Sequence, residues 1–336
     1  MSELLPKVSI ITPTRNAANI LGNCFDSVFA QDYPRDRYEI LVIEGRSTDN
    51  TREIAARYGA NIIDDQGWNM EDAKRQALNH AQGDFILFLD ADNEITHPDY
   101  LKLAVKALMD YPESLGVEAY YLGSKKMTSL CVYLTELLHI SDPICWLMSV
   151  KPVFVSELDQ VEVWRMPQKS NAYPLGANGF LYRKSDLEQV AANQRFSDTH
   201  IALYLIESGK KTWLRIKGRG VHHYYAMTLY EFWRKRMRAT LHYFKIKKQF
   251  QFSWLEQKPN VPAWFAAFYC ATVIGPVFHA FLGWLKTKNW RWWWHPFASW
   301  ASLAGVLAGF YMQIMQGKRE DLVTSLQPTQ SLKREK

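Results

Sequence analysis

The sequence predicts an α/β fold: a mostly parallel, Rossmann-like sheet flanked by helices, followed by a C-terminal two-helix membrane hairpin. Three observations carry this. Short apolar runs alternate with helical segments from Val8 to about Asp92, the mark of βαβ units and a parallel sheet. Polar residues follow each of the first four apolar runs. Two late stretches, Ala263 to Leu285 and Trp292 to Met315, carry no formal charge and are long enough to cross about 30 Å of hydrocarbon.

The elements follow in order. Val8 to Thr12 reads as a buried first strand, and Asn19 to Ala30 repeats its apolar residues at helical spacing. Tyr38 to Ile43 is a second strand, and Thr48 to Tyr58 a helix with Ser, Thr and Asp at its start. Asn61 to Ile63 is a short third strand, Glu71 to Ala81 a helix, and Asp84 to Leu89 a fourth strand. The stretch from Leu101 to Arg219 mixes helices with strands of an extended sheet. Within it, Gly176 to Phe180 is a small-residue loop before a strand-like Leu181-Tyr182, and Asp198 to Ser208 is a helix ending at Gly209.

The domains expected are an α/β unit over 1–225, in two halves at about 1–100 and about 101–225. Basic aromatic juxtamembrane or interfacial helices follow over 226–260, then a membrane hairpin over 261–317 and a polar tail over 318–336. Tryptophans at Trp264, Trp284, Trp290 and Trp294 rim the two apolar stretches as interfacial belts do. Small residues from Ala301 to Gly309 suit close helix packing. Two buried helices of a soluble domain, or helices lying in the interface, are the other readings. The balance of Lys and Arg favours placing the α/β unit on the cytoplasmic face of the cell membrane.

Composition excludes several classes. The chain has 336 residues, 48% hydrophobic and 22% charged, with 13 Trp, so it is a folded protein rather than a disordered one. Its mean hydropathy of -0.26 excludes a polytopic carrier. The net charge of +6 clusters around the late apolar stretches and not along a nucleic-acid stripe, so no nucleic-acid partner is expected. Cys24, Cys131, Cys145 and Cys270 form neither a CxxC pair nor a zinc spacing, which fits reduced thiols. No cleaved signal peptide is expected from the N-terminus.

In open α/β sheets, ligands bind outside the carboxyl ends of the strands, where loops converge and helix N-termini favour anions. Here Thr12, Pro13, Arg15 and Asn16 follow the first strand; Glu44, Arg46, Ser47 and Asp49 the second; Asp64 and Asp65 the third; Asp90, Ala91 and Asp92 the fourth. Such loops at four successive strand ends make a nucleotide site the economical reading. Asp90 and Asp92 stand at alternate positions, so both can face one cavity and hold a hard divalent cation against a diphosphate. Taken alone, they fit a solvated turn equally well.

These motifs closely resemble family 2 of the glycosyltransferases, with the GT-A fold. Val8 to Asn16 is similar to the family's opening strand, Ser27 to Pro34 to its first helix and turn, Tyr38 to Thr51 to its second signature, and Gly83 to Asp92 to its metal-holding third. The likeness weakens from about 100 to 170 and returns at Gly176 to Lys184 and Asp198 to Gly209. The resemblance implies an inverting transfer from a nucleotide-sugar, UDP before GDP, with Mn2+ or Mg2+. It implies that Thr12, Pro13 and Asn16 shape the nucleoside pocket, that Glu44 and Asp49 contact base or ribose, and that Asp92 binds the cation with Asp90 beside it. Lys74 or Arg75 would approach the diphosphate.

The base that takes the acceptor proton would be Asp198, which a helix N-cap explains equally well. His222 and His223 follow a strand-like Val221 and point to opposite faces, so only one can reach the cation, and His223 is favoured. Two departures are Glu44, where the family has Asp, and Ser197, where it often has Glu. Gly176, Asn178, Arg234 and Arg236 are candidates for acceptor or diphosphate contacts. Leu130 to Met148 fits either an acceptor groove or plain core. The acceptor expected is a membrane lipid-linked or glycan acceptor. A membrane-tethered nucleotide-sugar-binding protein without catalysis is the alternative. A nucleotidyltransferase is disfavoured, because Thr12 to Asn16 is not a Gly-rich basic loop.

Overall fold

The structure is a computed structural model. It describes residues 5–65, 70–139, 142–166, 175–176, 178–193, 196, 198–249 and 261–326. Ser197 and the tail from 327 lie outside these.

The first four strands and three helices alternate: β1 (Val8–Thr14), α1 (Leu21–Phe29), β2 (Tyr38–Glu44), α2 (Thr51–Arg57), β3 (Asn61–Asp64), α3 (Met70–Leu78) and β4 (Phe85–Phe88). They are followed by β5 (Asn93–Ile95), α4 (Tyr100–Asp110), β6 (Tyr120–Tyr121), α5 (Ser129–Val132), α6 (Pro143–Met148), β7 (Val153–Leu158) and β8 (Val161–Arg165). The rest of the α/β unit is β9 (Phe180–Arg183), α7 (Lys184–Asn193), α8 (Asp198–Glu207), β10 (Thr212–Ile216) and β11 (Gly220–His223).

The main sheet has the order β3-β2-β1-β4-β9, parallel except for β9, which runs antiparallel beside β4. Its strands are apolar on both faces because helices cover both. Ile10, Val42 and Leu87 face one core with Leu21, Phe25 and Leu101; their neighbours Ile11, Leu41 and Ile86 face the other, with Tyr182, Ile201 and Trp213. The period of two along each strand thus divides one hydrophobic run between two cores. A smaller sheet, β5-β11-β6, sets β11 antiparallel to β5 with His223 opposite Asn93. That register brings the chain's third quarter back to the acidic pair.

Four helices complete the described chain: α9 (Leu229–Gln249), α10 (Ala263–Ala271), α11 (Ile274–Thr287) and α12 (His295–Leu326), with a 3-10 turn at Trp290–Trp294. The first of the two expected spans is bent. Ala263 to Leu285 is not one straight span: α10 and α11 meet at 86°. Pro276 supplies the reason, since in a continuous helix its ring would collide with the carbonyl of Thr272, four residues earlier. Thr272 is extended, with ψ 158°. Among the described residues one helical stretch, Trp290–Met315, is long and apolar enough to cross a membrane, and the bent pair would make a second only if taken together.

Candidate active site

The carboxyl ends of β1 to β4 surround a cavity of about 510 Å³ lined by Pro13, Thr14, Arg15, Asn16, Ala17, Ile20, Ile43, Gly45, Arg46, Asp65, Ala73, Asp90, Ala91 and Asp92. Its wall is apolar at Pro13, Ile20, Ile43 and Ala73 and charged at its arginines and aspartates. That combination suits a flat heterocycle joined to an anionic group.

Loop chemistry shapes one side. Asn16 takes a left-handed conformation (φ 51°), and its Oδ1 accepts from the Thr48 N–H at 2.8 Å. Arg46 is also left-handed (φ 57°), a cost of about 1–2 kcal/mol for a residue with a Cβ. Glu44 stabilises that turn: its carboxylate accepts from the Ser47 N–H at 2.7 Å and the Arg46 N–H at 3.2 Å. Asp49 accepts from the Ala18 N–H at 3.2 Å and from the Thr51 N–H and hydroxyl. Neither carboxylate lines the cavity; both hold the loops that do. Thr12 also stands apart, fully buried inside the sheet with an unpartnered hydroxyl.

At the other side Lys74 reaches from α3, 2% exposed, and sits between two acids. Its Nζ is 3.0 Å from both oxygens of Asp198 and 3.5 Å from Asp90 Oδ1. The Phe88 ring lies 5.1 Å beneath it. Burial disfavours the ammonium, but Asp198 and Asp90 more than offset this, and its pKa stands above the ordinary lysine value. Arg75, one residue on, turns away and donates to the Ala191 carbonyl at 3.1 Å, so of the two expected cations only Lys74 faces the acids. Asp198 opens α8. Gly176 (φ 99°) passes so close to it that a Cβ would lie 2.6 Å from the Asp198 carbonyl oxygen.

Asp92 has different partners. His223 Nδ1 is 3.6 Å from its Oδ1, Lys235 Nζ 3.8 Å from its Oδ2, and Asn93 Nδ2 donates to Oδ1 at 3.0 Å. Burial pushes its carboxyl up, but His223 and Lys235 pull harder and leave it below the ordinary range. For Asp90 burial wins over Lys74, and its carboxyl is raised. His222 faces the other way, with Nδ1 2.9 Å from the Leu122 carbonyl.

The His223 ring is held in a column: Tyr121 lies 5.2 Å away on one side and Tyr225 5.5 Å on the other. His139 sits 4.8 Å beyond Tyr121, and Lys235 lies 4.4 Å over Tyr225. Asn178 Nδ2 approaches His223 at 3.5 Å. Tyr121 and Tyr225 were not singled out from the sequence, whereas Lys235 belongs to the basic run with Arg234, Arg236 and Arg238 that suits diphosphate or acidic headgroups. Lys235 lies three residues after the buried Phe232, hence on the same helix face, but Arg236 fits that face as well. The structure gives Arg236 to a buried pair, with Nε 2.8 Å from Asp142 Oδ2, and leaves Arg234 exposed.

Among the described residues no three His, Cys, Asp or Glu side chains form a ready cation cage. The donors nonetheless fit one that takes its remaining ligands from phosphate and water. Asp92 and His223 adjoin, and Asp90 Oδ1 is buried without a hydrogen bond.

Comparison with known proteins follows the same lines. Residues 9–127 match the model of Glycosyl transferase family 2. The chain is 31% identical over 114 residues to glycosyltransferase AglE of Haloferax volcanii, covering 32% of this chain and 37% of that one. It is 24% identical over 231 residues to the putative teichuronic acid biosynthesis glycosyltransferase TuaG of Bacillus subtilis, covering 63% and 88%. It spans only 37%, 17% and 29% of the first three curated relatives. Among solved structures, it superposes on a mannosyltransferase from Pyrobaculum calidifontis, in complex with GDP-Man and Mn2+. The TM-score is 0.53 at 17% identity, with 92% of this chain and 88% of that one covered. That likeness speaks to the fold. Residues 9–127 are thus similar to Glycosyl transferase family 2, within a mixed α/β fold like that of the GT-A glycosyltransferases.

Proposed function

We propose that the chain is an inverting glycosyltransferase that moves a sugar from a nucleotide-sugar, UDP-linked before GDP-linked, to a lipid-linked or glycan acceptor at the cytoplasmic face of a membrane. The observation that carries this is Lys74. It ties Asp198, 124 residues away, to Asp90 at the end of the cavity, so a candidate base and the acidic pair share one site.

In this reading the nucleobase lies against Pro13, Ile20, Ile43 and Ala73, Asp65 accepts from its N–H groups, and Arg15 and Arg46 draw in the diphosphate. A Mn2+ or Mg2+ ion held by Asp92, with Asp90 and His223 beside it, would neutralise charge on the departing nucleoside diphosphate. Lys235 adds a further positive charge next to Asp92. Asp198 takes the proton from the acceptor hydroxyl, and Lys74 fixes the orientation of its carboxylate. The relatives named as glycosyltransferases and the Mn2+-bound structural neighbour support this.

The test is turnover. Purified full-length protein with Mn2+ or Mg2+ is given UDP- and GDP-sugars, with and without membrane lipid extract, and nucleoside diphosphate release is measured. Release with one donor class, abolished in Asp92→Asn, is expected. Undiminished release in Asp92→Asn contradicts the metal role. Tight donor binding without release under every acceptor condition would favour a tethered binding protein.

A further inference from the structure

We infer that the carboxy-terminal helices form a wedge seated in one leaflet of an anionic membrane, rather than a hairpin that crosses it. This rests on the membrane association proposed above, not on the transfer chemistry.

Length decides first. At 1.5 Å per residue, α10 with 9 residues and α11 with 14 are about 14 and 21 Å long, and each falls short of about 30 Å of hydrocarbon. They meet at 86° and cannot add end to end. The first turns of α12 are fastened to the α/β unit. His295 is hydrogen bonded to Tyr133 at 2.5 Å, and Ser302 donates to Asp142 at 2.6 Å. Gly305 lies against α9, where a Cβ would fall 2.7 Å from the Trp233 carbonyl oxygen. Beyond that level the apolar run of α12 covers only residues 306–315, about 15 Å, before Lys318, Arg319, Glu320 and Asp321.

Direction decides next. The turn at Trp290–Trp294 is docked on the α/β unit: Trp292 packs with Tyr133 and Leu134, and Trp294 Nε1 donates to Ser129 at 2.9 Å. In a crossing hairpin that turn would lie on the far side of the membrane. From it, α12 runs parallel to α9: Gly305 meets Trp233 and Arg236, Gly309 meets Met237 and Thr240, and Phe310 meets Phe244. The sequence of α9 carries Arg234, Arg238, Lys245, Lys247 and Lys248, which a crossing α12 would have to take into the hydrocarbon with it.

Surface chemistry names the occupant. Polar groups of the bundle turn inward: Tyr269 OH is bonded to His279 at 2.6 Å and His295 at 2.8 Å. The outer face is apolar, with Trp264, Phe268, Ile274, Phe278, Leu307 and Phe310 exposed. From Ala263 to Gly317 the sequence holds no Asp or Glu, whereas Lys286, Lys288 and Arg291 stand beside the exposed Trp290 and Trp293. An apolar face edged only by cations and tryptophan complements anionic headgroups over acyl chains.

The test reads topology, whether or not sugar is transferred. In sealed membrane vesicles, an impermeant maleimide is applied to Asn289→Cys in the full chain, with the unaltered protein as background, and a C-terminal tag is probed by protease. Purified protein is also floated with vesicles of phosphatidylcholine alone or mixed with phosphatidylglycerol. We expect Asn289→Cys and the tag to be reached from the same side, and flotation mainly with phosphatidylglycerol. Lys286→Glu combined with Lys288→Glu should weaken vesicle binding at least about tenfold. Reaction from opposite sides would overturn the inference in favour of a crossing helix. A failure to float, with dimers forming as concentration rises, would overturn it in favour of a second copy covering the face.

Discussion

Two buried charge clusters in this chain look alike in composition and differ in completeness. Around Glu118 every carboxylate oxygen is engaged. Oε2 accepts from Trp213 Nε1 and Arg215 Nε, each at 2.8 Å, and Oε1 meets His139 Nε2 at 3.2 Å. The Arg215 guanidinium lies between the rings of Tyr120 and Trp164, at 5.0 and 4.8 Å. Around Lys74 and the acidic pair, Asp90 Oδ1 and Asn178 Oδ1 are buried without a hydrogen-bond partner. Buried polar atoms are satisfied as a rule, so exceptions call for a reason. The closed cluster joins β8 and β10 to the core of the fold. The open one faces a cavity, and a ligand would complete it.

The carboxyls respond accordingly. Burial pushes Glu118 up, but Arg215 and His139 outweigh it and bring its pKa down to about 2. At Asp90 burial is not overcome, and the carboxyl is raised. The same physical terms, with different partners, give opposite signs.

The contrast can be broken experimentally, beginning with the largest effect. Asp198→Asn should lower turnover by about 10²–10⁴-fold while donor binding, read by calorimetry, persists. Equal loss of binding would reduce Asp198 to a scaffold role. Arg215→Met leaves Glu118 charged and buried without its partner, and should cost about 3–5 kcal/mol in denaturant unfolding. A variant as stable as the parent but unable to bind donor would reverse the assignment of the two clusters.

The third effect is in pH. Glu118 has a folded pKa of about 2, below its unfolded value, so the unfolded state binds more protons between the two. Its stabilisation should be complete above about pH 4.5 and fall as the pH drops from there towards 2. Thermal unfolding across that window should show the decline in the parent, and a shallower one in Glu118→Gln. The smallest effect is at the surface. Lys102 pairs with Asp32 at 2.9 Å where both are exposed, and Lys102→Ala should shift stability by less than about 1 kcal/mol.

The same comparison shows what could be read from the sequence. The first four strands were legible, because each apolar run of four to seven residues ends in a polar cluster, and β1 to β4 lie close to their expected ranges. The cavity could be located for the same reason: Asn16, Arg46, Asp65 and Asp90 stand at four strand ends. Partners were not legible. Nothing near Lys74 in sequence announces Asp198, and nothing near Arg236 announces Asp142, since such pairs exist only once distant elements dock. Glu44 and Asp49 were recognised as polar loop residues. Whether such a side chain faces a ligand or its own loop depends on turn conformation, here the left-handed Asn16 and Arg46. The bend in the late helices was not legible for a related reason. A hydropathy window registers apolar residues, but not the bend that Pro276 forces or the inward hydrogen bonds of Tyr269 and Ser302.

A cation and a nucleotide together would complete the open cluster. Calorimetric titration of UDP and of GDP into the protein, with and without Mn2+ and repeated on Asp92→Asn, tests it most directly. One nucleotide should bind with a strong dependence on Mn2+, and that dependence should vanish in the variant while the fold, read by circular dichroism, is kept. Nucleotide binding of equal strength without the metal, or in Asp92→Asn, would contradict it.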